Sequence, residues 1–114
     1  IFDAAEAHER GLVRSVHPQG DLLDAAHGIA REIAENTSAV SVAMTRAMLW
    51  RLGAAGHPMD AHRIDSRAIY RLSRSEDAKE GIASFLEKRP PAYPDTVSAN
   101  MPDFYPWWEE PTYE

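Results

Sequence analysis

Cysteine is absent from this chain of 114 residues. That excludes a disulfide framework, a thiol nucleophile and a zinc–thiolate centre, and it suits a reducing compartment, so a cytoplasmic location is expected. Long apolar runs are missing too: none approaches the roughly 20 residues a helix needs to cross a bilayer, and no membrane partner is expected. Positive charge is in short supply. Twelve Lys and Arg against eighteen Asp and Glu leave a net charge of −6, which argues against nucleic acid, whose binding proteins usually carry a basic stripe. There is no glycine-rich phosphate loop, and no Ser-His-Asp arrangement can be argued. The histidines at 8, 17, 27, 57 and 62 form no pair at the i, i+4 spacing that suits a metal. Neither a metal nor a bound cofactor is expected.

What the chain does hold is a succession of amphipathic helices. Asp3 to Arg10 reads as a short helix with Asp3 as N-cap, Glu6 three residues on, and Gly11 where a left-handed residue ends a helix. Leu12 to Val16 has the composition of a short strand, ended at His17-Pro18-Gln19-Gly20. Nothing else in the chain resembles its partner, so the segment is either an orphan strand or an ordered loop. From Asp21, Leu22, Ala26, Ile29 and Ile33 form an apolar stripe that Asn36-Thr37-Ser38 ends. A helix from about Ala39 to Leu52 presents Val40, Ala43, Met44, Ala47, Met48 and Leu52. Another near Met59 to Leu72 presents Ala61, Ile64, Ala68 and Leu72.

The last of these helices is marked at both ends. Ser75 is a candidate N-cap. Glu76 and Asp77 place negative charge at its positive pole, and Lys88 and Arg89 place positive charge at its negative pole. Pro90 and Pro91 stop it, since neither can donate an amide hydrogen. Ala78, Ile82, Phe85 and Leu86 share one face. The pattern predicts an all-α assembly of about five helices, a short orphan strand near the N-terminus and an extended tail.

The tail differs in kind. Residues 90–114 hold six of the eight prolines, six of the ten aromatic residues and five acids, with no Lys or Arg. Proline at this density imposes an extended path. Yet Phe104-Tyr105-Pro106-Trp107-Trp108 carries more apolar area than a disordered tail usually does, so it is expected to lie along a protein surface.

The run Ser75-Glu76-Asp77-Ala78-Lys79-Glu80-Gly81-Ile82-Ala83-Ser84-Phe85-Leu86-Glu87-Lys88-Arg89 resembles the last helix of the enoyl-CoA hydratase/isomerase (crotonase) superfamily, which reads roughly S-E-D-x-x-E-G-x-x-A-F-L-E-K-R. Asp3-Ala4-Ala5-Glu6-Ala7-His8-Glu9-Arg10-Gly11-Leu12-Val13-Arg14-Ser15-Val16 is similar to a second stretch of that family, D-A-x-E-A-x-x-x-G-L-V-x-x-V. The two occur in the family's order and spacing. The resemblance implies three segments: residues 1–20 as the end of the crotonase core, 21–89 as the C-terminal helical domain, and 90–114 as a tail beyond the family pattern. It also implies a larger parent enzyme, a lyase or isomerase of fatty-acid metabolism, whose two catalytic glutamates and oxyanion-hole amides lie upstream of Ile1.

No residue of this chain matches a catalytic position, and the chain alone is expected to be inactive. Glu76 and Glu80, four apart on one helix, form a nominal carboxylate pair and are expected to be solvated surface. Phe85 and Lys88 match the family's F-x-x-K, which the resemblance assigns to the adenosine end of coenzyme A bound in a neighbouring subunit. An aromatic face suits adenine and an ammonium suits phosphate. Read without the resemblance, Phe85 is a core residue on the Ile82 stripe and Lys88 a helix-end charge. The resemblance further implies an acyl-CoA thioester as substrate and a homo-oligomer, a trimer or dimer of trimers. The alternative class is a non-catalytic oligomerisation module docking through its aromatic tail.

Overall fold

The structure is a computed structural model that describes residues 1–112. Tyr113 and Glu114, counted with the tail above, lie outside the described residues. Six helices and no strand occur among the described residues, so the all-α expectation holds. By its internal contacts the chain divides into two units, Ile1–Ile33 and Ala34–Glu114.

In the first unit, helix α1 spans Ala4–Glu9 and starts as its cap requires: the Glu6 amide donates to Asp3 Oδ1 at 2.8 Å. Gly11 follows with φ of 73°, the left-handed conformation that glycine adopts without a Cβ penalty. The anticipated strand at Leu12–Val16 does not form. The Leu12 amide donates to the Ala7 carbonyl at 2.8 Å, and the Val13 amide makes a longer bond to the same oxygen at 3.4 Å. His8 Nδ1 lies 3.2 Å from the Val13 carbonyl. With no second extended segment to pair with, the backbone bonds locally to the end of α1 instead. Helix α2 (Leu22–Asn36) begins in this unit. Its expected stripe is not buried in this chain: Leu22, Ala26 and Ile33 are exposed, and Ile29 is half-buried.

The second unit is built on α3 (Ala39–Leu52), capped by Ser38, whose hydroxyl accepts the Ser41 amide at 3.2 Å. Helix α4 (Pro58–Leu72) packs against α3 and begins at His57, whose Nδ1 accepts the Met59 amide at 3.0 Å. Val40, Met44 and Ala47 of α3 and Ala68 of α4 form the buried core, residues that all fall on the expected apolar faces. Helix α5 (Glu76–Glu87) follows, its first turn closed by Ser75 Oγ accepting the Ala78 amide at 3.1 Å.

The tail departs from a purely extended path at Val97–Asn100 and again where the Tyr105 amide donates to the Pro102 carbonyl at 2.9 Å. A single turn, α6 (Val97–Asn100), packs against α3. It forms because residues 95–101 contain no proline, and the Thr96 amide donates to Asn100 Oδ1 at 2.9 Å. Pro102 beyond it is fully buried.

Candidate functional site

Helix α5 and the residues that clasp it carry every position the sequence singled out for binding. Lys88 ends the helix in the left-handed conformation, with φ of 57°. That conformation is unusual for a residue with a Cβ. It reverses the chain, so the Arg89 amide donates back to the Ser84 carbonyl at 3.1 Å. The Arg89 side chain then runs along the helix to Glu80. Arg89 Nη1 lies 2.5 Å from Glu80 Oε1 and Nη2 lies 2.8 Å from Oε2, a two-point contact, while Nε reaches Glu87 Oε2 at 2.6 Å.

Glu80 is therefore not the solvated carboxylate the sequence suggested. Its Oε1 also accepts the Ala92 amide at 2.7 Å. The Arg89 guanidinium, reinforced by that amide, holds the Glu80 carboxyl down to about 2. The same contacts push the Arg89 guanidinium further up from its ordinary value. Glu76 matches the expectation better: it is exposed and pairs with Lys79 at 2.5 Å. The two glutamates thus have separate partners and no shared proton.

Two more contacts hold the following segment to the start and middle of α5. Asp77 is buried, and its Oδ1 accepts the Asp95 amide at 2.8 Å. Tyr93 lies over Gly81, where the helix has no side chain. Neither Asp95 nor Tyr93 was singled out from the sequence, because both partnerships span twelve residues or more and follow no local rule.

On the opposite side of this clasp, Ile82, Phe85 and Leu86 are exposed, Phe85 at 70%. The face read as a candidate core stripe is open in this unit, and Phe85 is not a core residue of it. Lys88 Nζ sits 4.3 Å from the centroid of the Phe85 ring, a cation–π contact. The structure brings Phe85 and Lys88 together as an exposed aromatic–ammonium pair on the last turn.

The aromatic tail is anchored by cations of α3 and α4. Arg67 stacks on Phe104 at 4.2 Å and Arg51 on Trp108 at 4.5 Å. Arg51 also pairs with Glu110, to which the Trp108 indole donates at 2.7 Å. The Trp108 N–H, with Arg51, holds the Glu110 carboxyl below the usual carboxylate range. Tyr105, Trp107 and Trp108 meet edge-to-face. The tail thus lies on its own unit. Its partners were open to inference, since a segment rich in aromatics and acids without one Lys or Arg must find its cations elsewhere.

The enoyl-CoA hydratase/isomerase family profile matches residues 1–96. The chain belongs to that family. It is 40% identical over 98 residues to an enoyl-CoA hydratase of Alternaria alternata, an alignment covering 85% of this chain and 32% of that relative. Among solved structures, it resembles a "probable enoyl-CoA hydratase/isomerase" from Mycobacterium abscessus with a TM-score of 0.76 and 33% identity, over 83% of this chain and 37% of the other. An enoyl-CoA hydratase/isomerase from Mycobacterium paratuberculosis gives a TM-score of 0.66 at 31% identity, covering 82% and 36%. The chain spans about a third of the length of the relatives it matches.

Proposed function

We propose that this chain is the C-terminal part of an enoyl-CoA hydratase. The parent enzyme adds water reversibly across the double bond of a 2-enoyl-CoA thioester, hydroxyl to C3 and proton to C2. In this reading the chain supplies no group to the reacting carbons. It closes the coenzyme A site and joins subunits, in a homo-oligomer of the trimer type. Coenzyme A is part of the substrate, and no separate cofactor is involved.

The observation that carries the reading is the exposed Phe85–Lys88 pair, with Nζ 4.3 Å from the ring centroid. The ring offers an open face for adenine to stack on, and the ammonium beside it offers charge to a phosphate. Ile82 and Leu86 flank the pair with exposed apolar surface, the kind of surface that a neighbouring subunit covers in an oligomer.

Two measurements test it. The chain by itself, supplied with crotonyl-CoA, shows no hydration; turnover by the purified chain contradicts the assignment of chemistry to other residues. In the intact parent, Lys88→Ala raises KM for CoA esters more than it lowers kcat, because the contact is remote from the reacting carbons. An unchanged KM removes Lys88 from the site. A double-bond isomerase is the second reading, since the matched family is described as hydratase/isomerase. Shift of a 3-enoyl-CoA double bond by the parent, without net uptake of water, selects it.

A further inference from the structure

Away from the α5 turn, α3 and the tail border an open groove of about 360 Å³ lined by Arg46, Ala47, Trp50, Arg51, Tyr105 and Trp108. Its composition is unlike a patch of ordinary surface. Three of the six residues are aromatic and two carry guanidinium groups. Trp50 is 77% exposed, while Tyr105 and Trp108 are half-buried and locked edge-to-face at 5.2 Å. Tyr105 and Trp108 lie beyond residue 96, where the family match ends, so this groove is built partly from residues outside the part shared with the family.

The two guanidiniums differ in how they are partnered. Arg51 is satisfied: it pairs with Glu110 and stacks on the Trp108 ring at 4.5 Å. Arg46 has no carboxylate partner among the described residues. Of the two guanidiniums on the groove, Arg46 is the one left free to meet a ligand, and its planar fork suits a carboxylate. A dianionic phosphate would bring more negative charge than a carboxylate beside Glu110, in a chain whose net charge is already −6. The aromatic lining favours a planar π-system over an aliphatic chain, and the volume is at the small end of ligand cavities, suited to one or two fused rings.

We propose that this groove binds a planar aromatic monocarboxylate, its carboxylate held by Arg46 and its ring packed among Trp50, Tyr105 and Trp108. The site is separate from the Phe85–Lys88 pair and does not depend on the function proposed for it.

The test is a titration of the purified chain with 2-naphthoate, followed through the Trp indole and Arg side-chain N–H resonances. Saturable shifts of the Trp50 and Trp108 indoles and of Arg46 Nε–H are expected. Cyclohexanecarboxylate, which has the charge without the ring, and 2-naphthalenemethanol, which has the ring without the charge, bind much more weakly. Arg46→Gln weakens naphthoate binding by about tenfold or more, the size of a lost charge-assisted hydrogen bond. Arg46 is exposed and unpaired, so that variant folds as the native chain does. Arg46→Lys, with charge but no fork, falls between. Linear, non-saturating shifts overturn the proposal, as does undiminished binding by Arg46→Gln. Tighter binding of naphthyl phosphate than of naphthoate also overturns it.

Discussion

Glu80 and Arg89, nine residues apart, meet in a two-point ion pair that folds the end of α5 back on its own middle, with N–O distances of 2.5 and 2.8 Å. The pair depends on the left-handed turn at Lys88, without which the chain would continue along the helix axis. It also fixes Ala92, whose amide shares Glu80 Oε1. One carboxylate therefore sets the start of the tail, and with it the direction in which the aromatic segment leaves α5.

Acid should open this clasp at an unusually low pH. The Glu80 carboxyl is depressed from 4.5 to about 2, first by the hydrogen bond from Arg89 and then by the Ala92 amide. A carboxyl depressed on folding contributes stability above its unfolded value and loses it as pH falls through the folded one. The contribution is thus complete above about 4.5 and disappears on the way down to about 2. Carbon-detected titration of the Glu80 carboxyl reads this directly, and an ordinary midpoint near 4.5 would refute it. Glu80→Gln should speed hydrogen exchange at the Ala92 amide without melting α5.

Removing the arginine that covers Phe104 should loosen the tail. Arg67→Ala is expected to destabilise the second unit by about 0.5–1 kcal/mol, the usual worth of an exposed cation–π contact. Arg63→Ala is the control. Its exposed partner Asp60 is 3.9 Å away, and such pairs contribute about 0–1 kcal/mol, commonly near the lower end. Urea denaturation of both variants settles the comparison, and equal losses would count against the stacking.

Gly81→Ala should be tolerated or stabilising. A Cβ at this position would stand 3.5 Å from the Tyr93 hydroxyl, ordinary van der Waals contact. Alanine in a helix interior is favoured over glycine by roughly 0.5–1 kcal/mol. A fall in Tm would show that Tyr93 approaches more closely than the structure indicates.

Lys88 offers a way to separate backbone from chemistry. Its φ of 57° suits glycine, so Lys88→Gly should stabilise the chain, by up to about 1–2 kcal/mol, through relief of the left-handed strain. The same change removes the ammonium beside Phe85. In the proposed parent enzyme, a raised Tm combined with a raised KM for CoA esters is the expected signature. A lowered Tm would mean that the side chain's contact with Phe85 outweighs the backbone term.

The site was legible in the sequence to an uneven degree. Phe85 and Lys88 could be named because F-x-x-K is a local pattern carried by a recognisable helix. Their joint exposure could not be, since Phe85 sits on an apolar stripe that could equally have been buried. In the sequence Glu80 looks like surface because its partner Arg89 lies beyond the helix end, reached only through the turn at Lys88. Arg46, Arg51 and Arg67 drew no attention on α3 and α4, where arginine is unremarkable in composition. They acquire meaning only once the aromatic tail is laid against them.

What the amino-acid order determined by itself was the set of helices and most of their ends. Asp3 and Ser75 cap amides three residues away, and Pro90 and Pro91 bar α5 from continuing, so each acts over about one turn of chain. The tertiary structure decided the rest: that Leu12 and Val13 bond to α1 in place of a strand over Leu12–Val16, that the α5 stripe stays open, and that the tail returns to α3. Those outcomes compare partners far apart in the chain, and a hydrogen bond or a buried ring goes to whichever partner the folded path brings within reach.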